Sequence, residues 1–413
     1  MYCLYKWKFD KIEVADVRKL AEVNSGILLK CGGNAVNYDY MNNFYSRKKV
    51  LVTGHTGFKG TWLCQILKEL GADVIGYALN PPTEPSLFVL TASDQDIRSY
   101  IGDIRDREYL VRVFESEQPE IVIHMAAQPL VRESYANPAD TYETNVMGTV
   151  NLLECVRLTS SVKSVVNVTT DKVYRNNEWD RGYVETDVLD GYDPYSNSKS
   201  CSELVTHSYV QAFLKVQGVA VSTCRAGNVI GGGDFAKDRI IPDCVRTAER
   251  LVRQGSSTAE GGIVVRNPHS TRPYQHVLEP LFAYLMVAQE QYERPELAGC
   301  YNVGPEDDNC ITTGELVDLF CKLWNKAQDS KGYEKLAWIN QFDGGPHEAN
   351  FLKLDCTKLK HTFGWEPKWS IEKTLEQVVE FELLRLLAYN ENENLESVLC
   401  ACMHRQIEEY RKS

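Results

Sequence analysis

The chain has 413 residues, 43% hydrophobic and 25% charged, with a formal net charge of -12. That length admits two or three domains, or one large α/β unit with an appended lobe, and allows a substantial core. The acidic balance excludes general nucleic-acid binding and adhesion to an anionic membrane, while leaving room for a local basic pocket.

Residues 1–46 read as an N-terminal extension outside the rhythm of the rest. "EVADVRKLAEV" has the spacing of a short amphipathic helix, and "KCGGNAVNYDYMNN" is loop-like. From Lys48 strands and helices alternate. "KKVLVTG" predicts a strand, "TWLCQILKELG" a helix stopped at Gly71, and "ADVIGYAL" and "SYIGDI" strands. A helix "REYLVRVFESE", a strand "EIVIHMAA" and a long helix "ADTYETNVMGTVNLLECVRL" follow. Then come a strand "KSVVNVTT", a helix "PYSNSKSCSELVTHSYVQAFLKV" and a strand "VAVSTCRAG". Apolar strands alternating with helices predict a parallel sheet covered on both faces, a Rossmann-like doubly wound α/β fold over residues 47–227.

After Asn228 the rhythm loosens into a smaller C-terminal substrate-binding lobe, residues 228–388, with the chain free to cross between lobes. "NVIGGGDFAKDRIIPD" is a Gly-rich loop leading into a helix. "GGIVVRNPHSTRPYQHV" reads as two short strands joined by a polar loop, and helices are expected near 278–292, 313–326 and 371–388. Residues 389–413 read as a charged, partly helical C-terminal tail. The 13 cysteines have no repeated spacing and read as reduced thiols. Cys400 and Cys402 form a C-x-C that no second pair completes, so no metal is expected. No run approaches the ~18 apolar residues of a membrane helix, and the N-terminus is too charged for a signal peptide.

The turn "TGHTGFKGTW" places Gly54, Gly57 and Gly60 between the first strand and first helix, with Thr56, Phe58 and Lys59 among them. Small residues there permit a tight turn and bring backbone N–H groups to a pyrophosphate at a helix N-terminus. The second strand ends in "VIGYALNPP", with neither an acid for a ribose hydroxyl nor an adjacent arginine for a 2′-phosphate, so the choice between NAD and NADP stays open. After the third strand, Asp103, beside Ile104, is either an adenine contact or a helix cap, although Asp106 is better placed to cap. Tyr195 and Lys199 are four apart and share a helix face. A neighbouring ammonium lowers a phenol's pKa and turns it into a base near neutral pH. Such a pair alone is usually a solvated face; here it follows "VTTDK" and the glycine turn.

Together these motifs resemble the extended short-chain dehydrogenase/reductase family, the NAD-dependent epimerases and dehydratases, over about Lys48 to Ala388. Thr170 matches its Ser/Thr, and Tyr195 and Lys199 its Tyr-x-x-x-Lys pair. "HMAAQP", with Ala126 and Ala127, resembles its cofactor-side turn, and Asn145 its helix asparagine. "GDIRD", "TTDKVY", "GYDPYSNSK", "RAGNVIGGGD" and "RNPHSTRPYQHV" are similar to the nucleotide-sugar 4,6-dehydratase branch, whose dTDP-sugar members carry Thr-Asp-Glu where this chain has Thr170, Asp171 and Lys172. The resemblance implies bound NAD, CDP-glucose as the small-molecule substrate, a homodimer or homotetramer, and a cytoplasmic location. It implies that Tyr195 works on the sugar's 4-hydroxyl with Thr170, that Asp171 protonates the leaving 6-hydroxyl, and that Lys172 acts at carbon 5. A lysine base needs a lowered pKa and an aspartate donor a raised one. A diphosphate needs cations, and Arg239, Arg266, Arg272 and Arg132 match basic positions. Gln128 and Asn228 are expected near the sugar, and His276 is read as structural or as a ribose contact. A sister epimerase or reductase, or a non-catalytic NAD-sensing protein, remain open readings.

Overall fold

Seven strands, six of them almost wholly buried, assemble into one parallel sheet, because residues that are apolar on both strand faces need a layer of helices on each side. The computed structural model describes residues 38–254, 262–328, 335–341, 351–391 and 393–413; the amphipathic helix expected over 13–23 lies outside them. In chain order the main elements are α1 (Tyr38–Tyr45), β1 (Lys49–Thr53), α2 (Phe58–Glu69), β2 (Asp73–Ala78), β3 (Arg98–Ile101), α3 (Arg107–Glu117) and β4 (Ile121–His124). There follow α4 (Gly148–Leu158), β5 (Ser164–Val168), α5 (Pro194–Tyr209), β6 (Ala220–Ala226), α6 (Ile240–Gln254) and α7 (Leu278–Glu293). The last are β7 (Cys300–Val303), α8 (Thr313–Gln328), α9 (Ile371–Asn390) and α10 (Leu395–Lys412). The sheet order is β7-β6-β5-β4-β1-β2-β3, parallel at every pairing. The winding reverses between β1 and β4, which opens a crevice beyond the carboxyl ends of the strands.

Alternation within each strand divides the core in two. Leu51, Ile75, Val122 and Val165 face α3, α4 and α5. Val50, Val52, Ile123 and Val166 face the opposite layer, with α2, α7 and α10. Each such side chain, fully buried, contributes about 1.5–3 kcal/mol. Element ends follow local chemistry. Asp106 caps α3 by accepting from the Tyr109 N–H at 3.0 Å, while Asp103 accepts from the Arg105 N–H and guanidinium instead. Gly71, at φ +73°, ends α2.

A second core lies beside the sheet, built from Cys244 and Val245 of α6, Ile263, Val265, Phe320 of α8 and Leu375, Val378 and Leu383 of α9. The partition is not along the chain. β7 returns to the edge of the main sheet after α6 has been built into the second core. Helix α9 serves both cores, since Phe381, Leu384 and Ala388 point into the first.

Four sequence expectations need correction. The stretch 263–276 forms three short strands that do not pair with one another: Ile263–Val265 joins Trp338–Asn340, Thr271–Pro273 joins Cys310–Thr312, and Gln275–His276 joins Val229–Ile230. The long helix expected over 139–158 has a wide π-turn at Glu143–Met147. Residues 395–412, expected as a charged, partly helical tail, form one continuous docked helix. Val398, Leu399, Cys402, Met403, Ile407 and Tyr410 recur at helical spacing and are buried, and Tyr410 Oη donates to buried Glu279 Oε2 at 2.7 Å. The end of the expected N-terminal extension is likewise folded in: Met41 and Tyr45 are buried, and Tyr45 Oη donates to the Leu285 carbonyl at 2.6 Å.

Candidate active site

The crevice is a cavity of about 800 Å³. Its first wall is the turn from β1 into α2. Gly54 takes φ +78°, and a Cβ there would stand 3.0 Å from the Ala126 backbone nitrogen. A Cβ on Gly60 would fall 2.1 Å from the Gly54 carbonyl oxygen. The turn therefore closes only with glycine at these two places. Gly57 opens α2 without a side-chain cap, so the first N–H groups of the helix and its positive dipole end face the cavity beside Thr56, Phe58 and Lys59. The residues present fit the diphosphate of a dinucleotide.

The second wall follows β4. Thr53 Oγ1 accepts from the N–H groups of Met125 and Ala126, each at 3.1 Å. Asn145 grips the same turn from behind: its Oδ1 accepts from Gln128 N at 2.8 Å and its Nδ2 donates to Ser198 Oγ at 2.9 Å. Ala126, Ala127, Asp103 and Ile104 line the cavity. Asn145 does not; it is 1% exposed and holds the turn from behind.

The third wall joins "TDK" to "YSNSK". Thr170, Asp171, Lys172, Tyr195 and Lys199 all line the cavity. Thr170 Oγ1 donates to Asp171 Oδ1 at 2.9 Å and also reaches the Tyr195 phenol. Asp171 is 2% exposed, its Oδ2 has no partner, and burial raises its carboxyl above the ordinary range despite Lys172, Thr170 and Arg272. That is the direction a proton donor needs.

Tyr195 departs from the expectation of a phenol lowered by Lys199. Burial pushes it up to about 12, against its hydrogen bond with Thr170 and the charge of Arg239. Lys199 is itself held down to about 8 by burial and donates to the Val168 carbonyl at 3.1 Å. Lys59 also lines the cavity. Its Nζ donates to Tyr284 Oη at 3.3 Å, and burial, with Arg239 and Lys199 nearby, holds it down to about 7.

Arg132, Asn228, Arg239, Arg266 and Arg272 also line the cavity. Arg239 pairs with Asp234 at 3.3 Å and Arg266 with Asp238 at 2.9 Å. Two expected substrate contacts do not line it. Gln128 turns its side-chain amide to Leu130 and Thr141. His276 is wholly buried between Trp62 and Trp369, and its Nδ1 accepts from Leu278 N at 3.3 Å. Sequence reasoning overlooked Tyr274, Ser270, Thr313 and Phe235, which do line the cavity. Tyr274 lies between two short strands, and the others come from loops and a helix start; none carries a sequence pattern that marks it.

The sequence matches the GDP-mannose 4,6 dehydratase family over residues 51–378. It is 47% identical over 345 residues to a CDP-glucose 4,6-dehydratase of Salmonella typhimurium, covering 82% of this chain and 91% of that protein. A dTDP-glucose 4,6-dehydratase of Xanthomonas campestris pv. campestris is 27% identical over 350 residues, covering 81% and 92% of the two chains. The crystal structure of a dTDP-glucose 4,6-dehydratase from Bacillus anthracis in complex with NAD shares the fold, with a TM-score of 0.64 and 22% identity over 84% of this chain and 98% of that one.

Proposed function

This chain belongs to the GDP-mannose 4,6 dehydratase family, and from that premise we propose that it converts CDP-D-glucose to CDP-4-keto-6-deoxy-D-glucose and water with bound NAD. One observation carries the reading. Two separate segments, Thr170–Lys172 and Tyr195–Lys199, meet on one cavity wall, between an uncapped helix start suited to a dinucleotide and arginines suited to a nucleotide diphosphate.

Bound NAD supplies a hydride store, so that the hydride removed at carbon 4 is returned at carbon 6 with no net redox change. Tyr195 takes the proton of the 4-hydroxyl while Thr170 orients that oxygen. Added positive charge in the cavity moves the phenol further in the direction Thr170 and Arg239 already pull it. The 4-ketone acidifies carbon 5. Lys172 accepts the carbon-5 proton and Asp171 gives its own to the departing 6-hydroxyl, so one C–H and one C–O bond break and water leaves. Lys172 returns the proton to carbon 5, which with the hydride that bound NAD would return at carbon 6 completes the 4-keto-6-deoxy sugar. Lys59, Gly54, Gly57, Gly60, Asp103, Ala126 and Ala127 belong to the cofactor side in this reading, and Arg132, Asn228, Arg239, Arg266 and Arg272 to the substrate side.

The same reading includes a homodimer or homotetramer in the cytoplasm. Exposed Leu204, Phe213 and Val216 along the outer helix layer favour self-association. The described cysteines are all free, in keeping with a reducing compartment. Incubating the purified chain with CDP-glucose should give a product lighter by one water in mass spectrometry. An epimerised product of unchanged mass overturns the reading, and bound NAD without turnover of any nucleotide sugar would favour the sensor.

A further inference from the structure

Behind the cavity wall lies an ion pair that the chemistry above does not use. Glu203 stands on α5, one turn beyond Lys199, and Arg225 on β6; their side chains are 1% and 2% exposed. Glu203 accepts four hydrogen bonds: from Thr169 Oγ1 at 2.5 Å, Thr223 Oγ1 at 2.6 Å, and Arg225 Nε and Nη2 at 2.9 Å each. That is the full acceptor capacity of a carboxylate. Arg225 Nη1 donates onward to Tyr174 Oη at 2.8 Å and to the Glu185 carbonyl at 3.0 Å, and Tyr174 Oη donates to Asn302 Oδ1 at 2.6 Å.

The placement matters more than the strength. Thr169 immediately precedes Thr170–Asp171–Lys172, and Tyr174 follows two residues after Lys172. The pair thus holds the elimination turn at both ends, while its carboxylate is carried by the helix that bears Tyr195 and Lys199. A second tie runs the same way, from Ser200 Oγ to the Val173 carbonyl at 2.7 Å. A buried ion pair is poor stabilisation compared with apolar side chains of the same volume, and its best use is to fix one geometry among several. Proton transfer between groups on two separate segments needs such fixing, since an ångström of misplacement costs about a hundredfold in rate.

Resting on the dehydratase reading above, we propose that the Glu203–Arg225 pair is a positioning device that sets the elimination turn, Thr170–Lys172, against the redox pair Tyr195 and Lys199. Its loss separates the two halves of the cycle: oxidation at carbon 4 proceeds, water loss lags, and reduced cofactor collects on the enzyme. A merely structural role would slow both halves together through the fraction folded.

The test is Tyr174→Phe, which removes one hydroxyl from a residue that does not line the cavity. With NAD bound and CDP-glucose added, stopped-flow absorbance should show oxidation at carbon 4 within about twofold of wild type and water loss about tenfold slower. Reduced cofactor should then accumulate. Absence of that accumulation in folded Tyr174→Phe overturns the proposal. If the variant does not fold, Thr169→Val decides by the same readout, with Thr169→Ser expected to restore wild-type partitioning and its failure to do so counting against the proposal. A wild type that releases no water would sink the dehydratase reading and this inference with it. A wild type that does, beside variants without excess reduced cofactor, sinks the inference alone.

Discussion

Replacing Asp171 by Asn should stabilise the fold while stopping dehydration, and the gain should depend on pH. The carboxyl is 2% exposed, one oxygen accepts from Thr170 at 2.9 Å, and the other has no partner. Burial outweighs Lys172, Thr170 and Arg272, so the folded-state pKa lies above the ordinary 3.8. A raised carboxyl pKa means that the folded chain binds the proton more tightly than the unfolded chain. This contribution is fully present below the unfolded pKa and is lost as pH rises through the folded one. Above the folded-state pKa the wild type therefore carries an ionised, under-paired carboxylate that Asn does not. Leaving such a group buried costs about 1–3 kcal/mol, so Asp171→Asn should gain about 1–2 kcal/mol near pH 8. Urea midpoints of both proteins at about pH 8 and about pH 4.5, with cofactor saturating in each, measure the difference, which should shrink toward zero at the acid end. A variant less stable than wild type near pH 8, or a gain equal at both pH values, would refute the electrostatic argument.

Four further outcomes follow from the same geometry. Gly60→Ala should lose about 1–3 kcal/mol of stability, because its Cβ meets the Gly54 carbonyl at 2.1 Å and His55 Cα at 2.6 Å. Gly57→Ala, whose Cβ meets only the Gly54 oxygen at 3.4 Å, should keep its Tm but bind NAD about tenfold more weakly by titration calorimetry, a loss of about 1.4 kcal/mol. Lys172→Ala should still transfer the carbon-4 hydride but release little dehydrated product; full dehydration would remove Lys172 from the elimination. Tyr410→Phe should cost about 1–3 kcal/mol in urea unfolding, since it strips a partner from buried Glu279; a loss near zero would mean that α10 is held by its apolar face alone.

Much of this was legible because it is local. Asp106 over Asp103 as the α3 cap follows from the position of each relative to the first turn, and Gly71 ends α2 as its residue type suggests. The alternation from Lys48 onward implied the parallel sheet, and the Tyr195–Lys199 spacing implied a shared helix face. What stayed hidden depends on partners distant in sequence. Nothing in "CYNV" says that Cys300–Val303 pairs with β6 in the first sheet. Nothing in "RPYQHV" tells His276, packed between two tryptophans, from Tyr274, which lines the cavity. The direction of the Tyr195 shift is hidden for the same reason: the four-residue spacing to Lys199 is visible in sequence, while the burial that raises the phenol is contributed by distant parts of the chain.

Helix α9 is a party wall. One face belongs to each core, and β7 stitches the later part of the chain back into the first sheet. A lobe tied in this way cannot be exchanged as a cassette, because no single cut frees it and any transplant must match a helix already committed on its other side. Changes in which sugar nucleotide is accepted must then arise residue by residue along the cavity lining, at positions such as Phe235, Ser270, Tyr274 and Thr313, rather than by trading one substrate module for another.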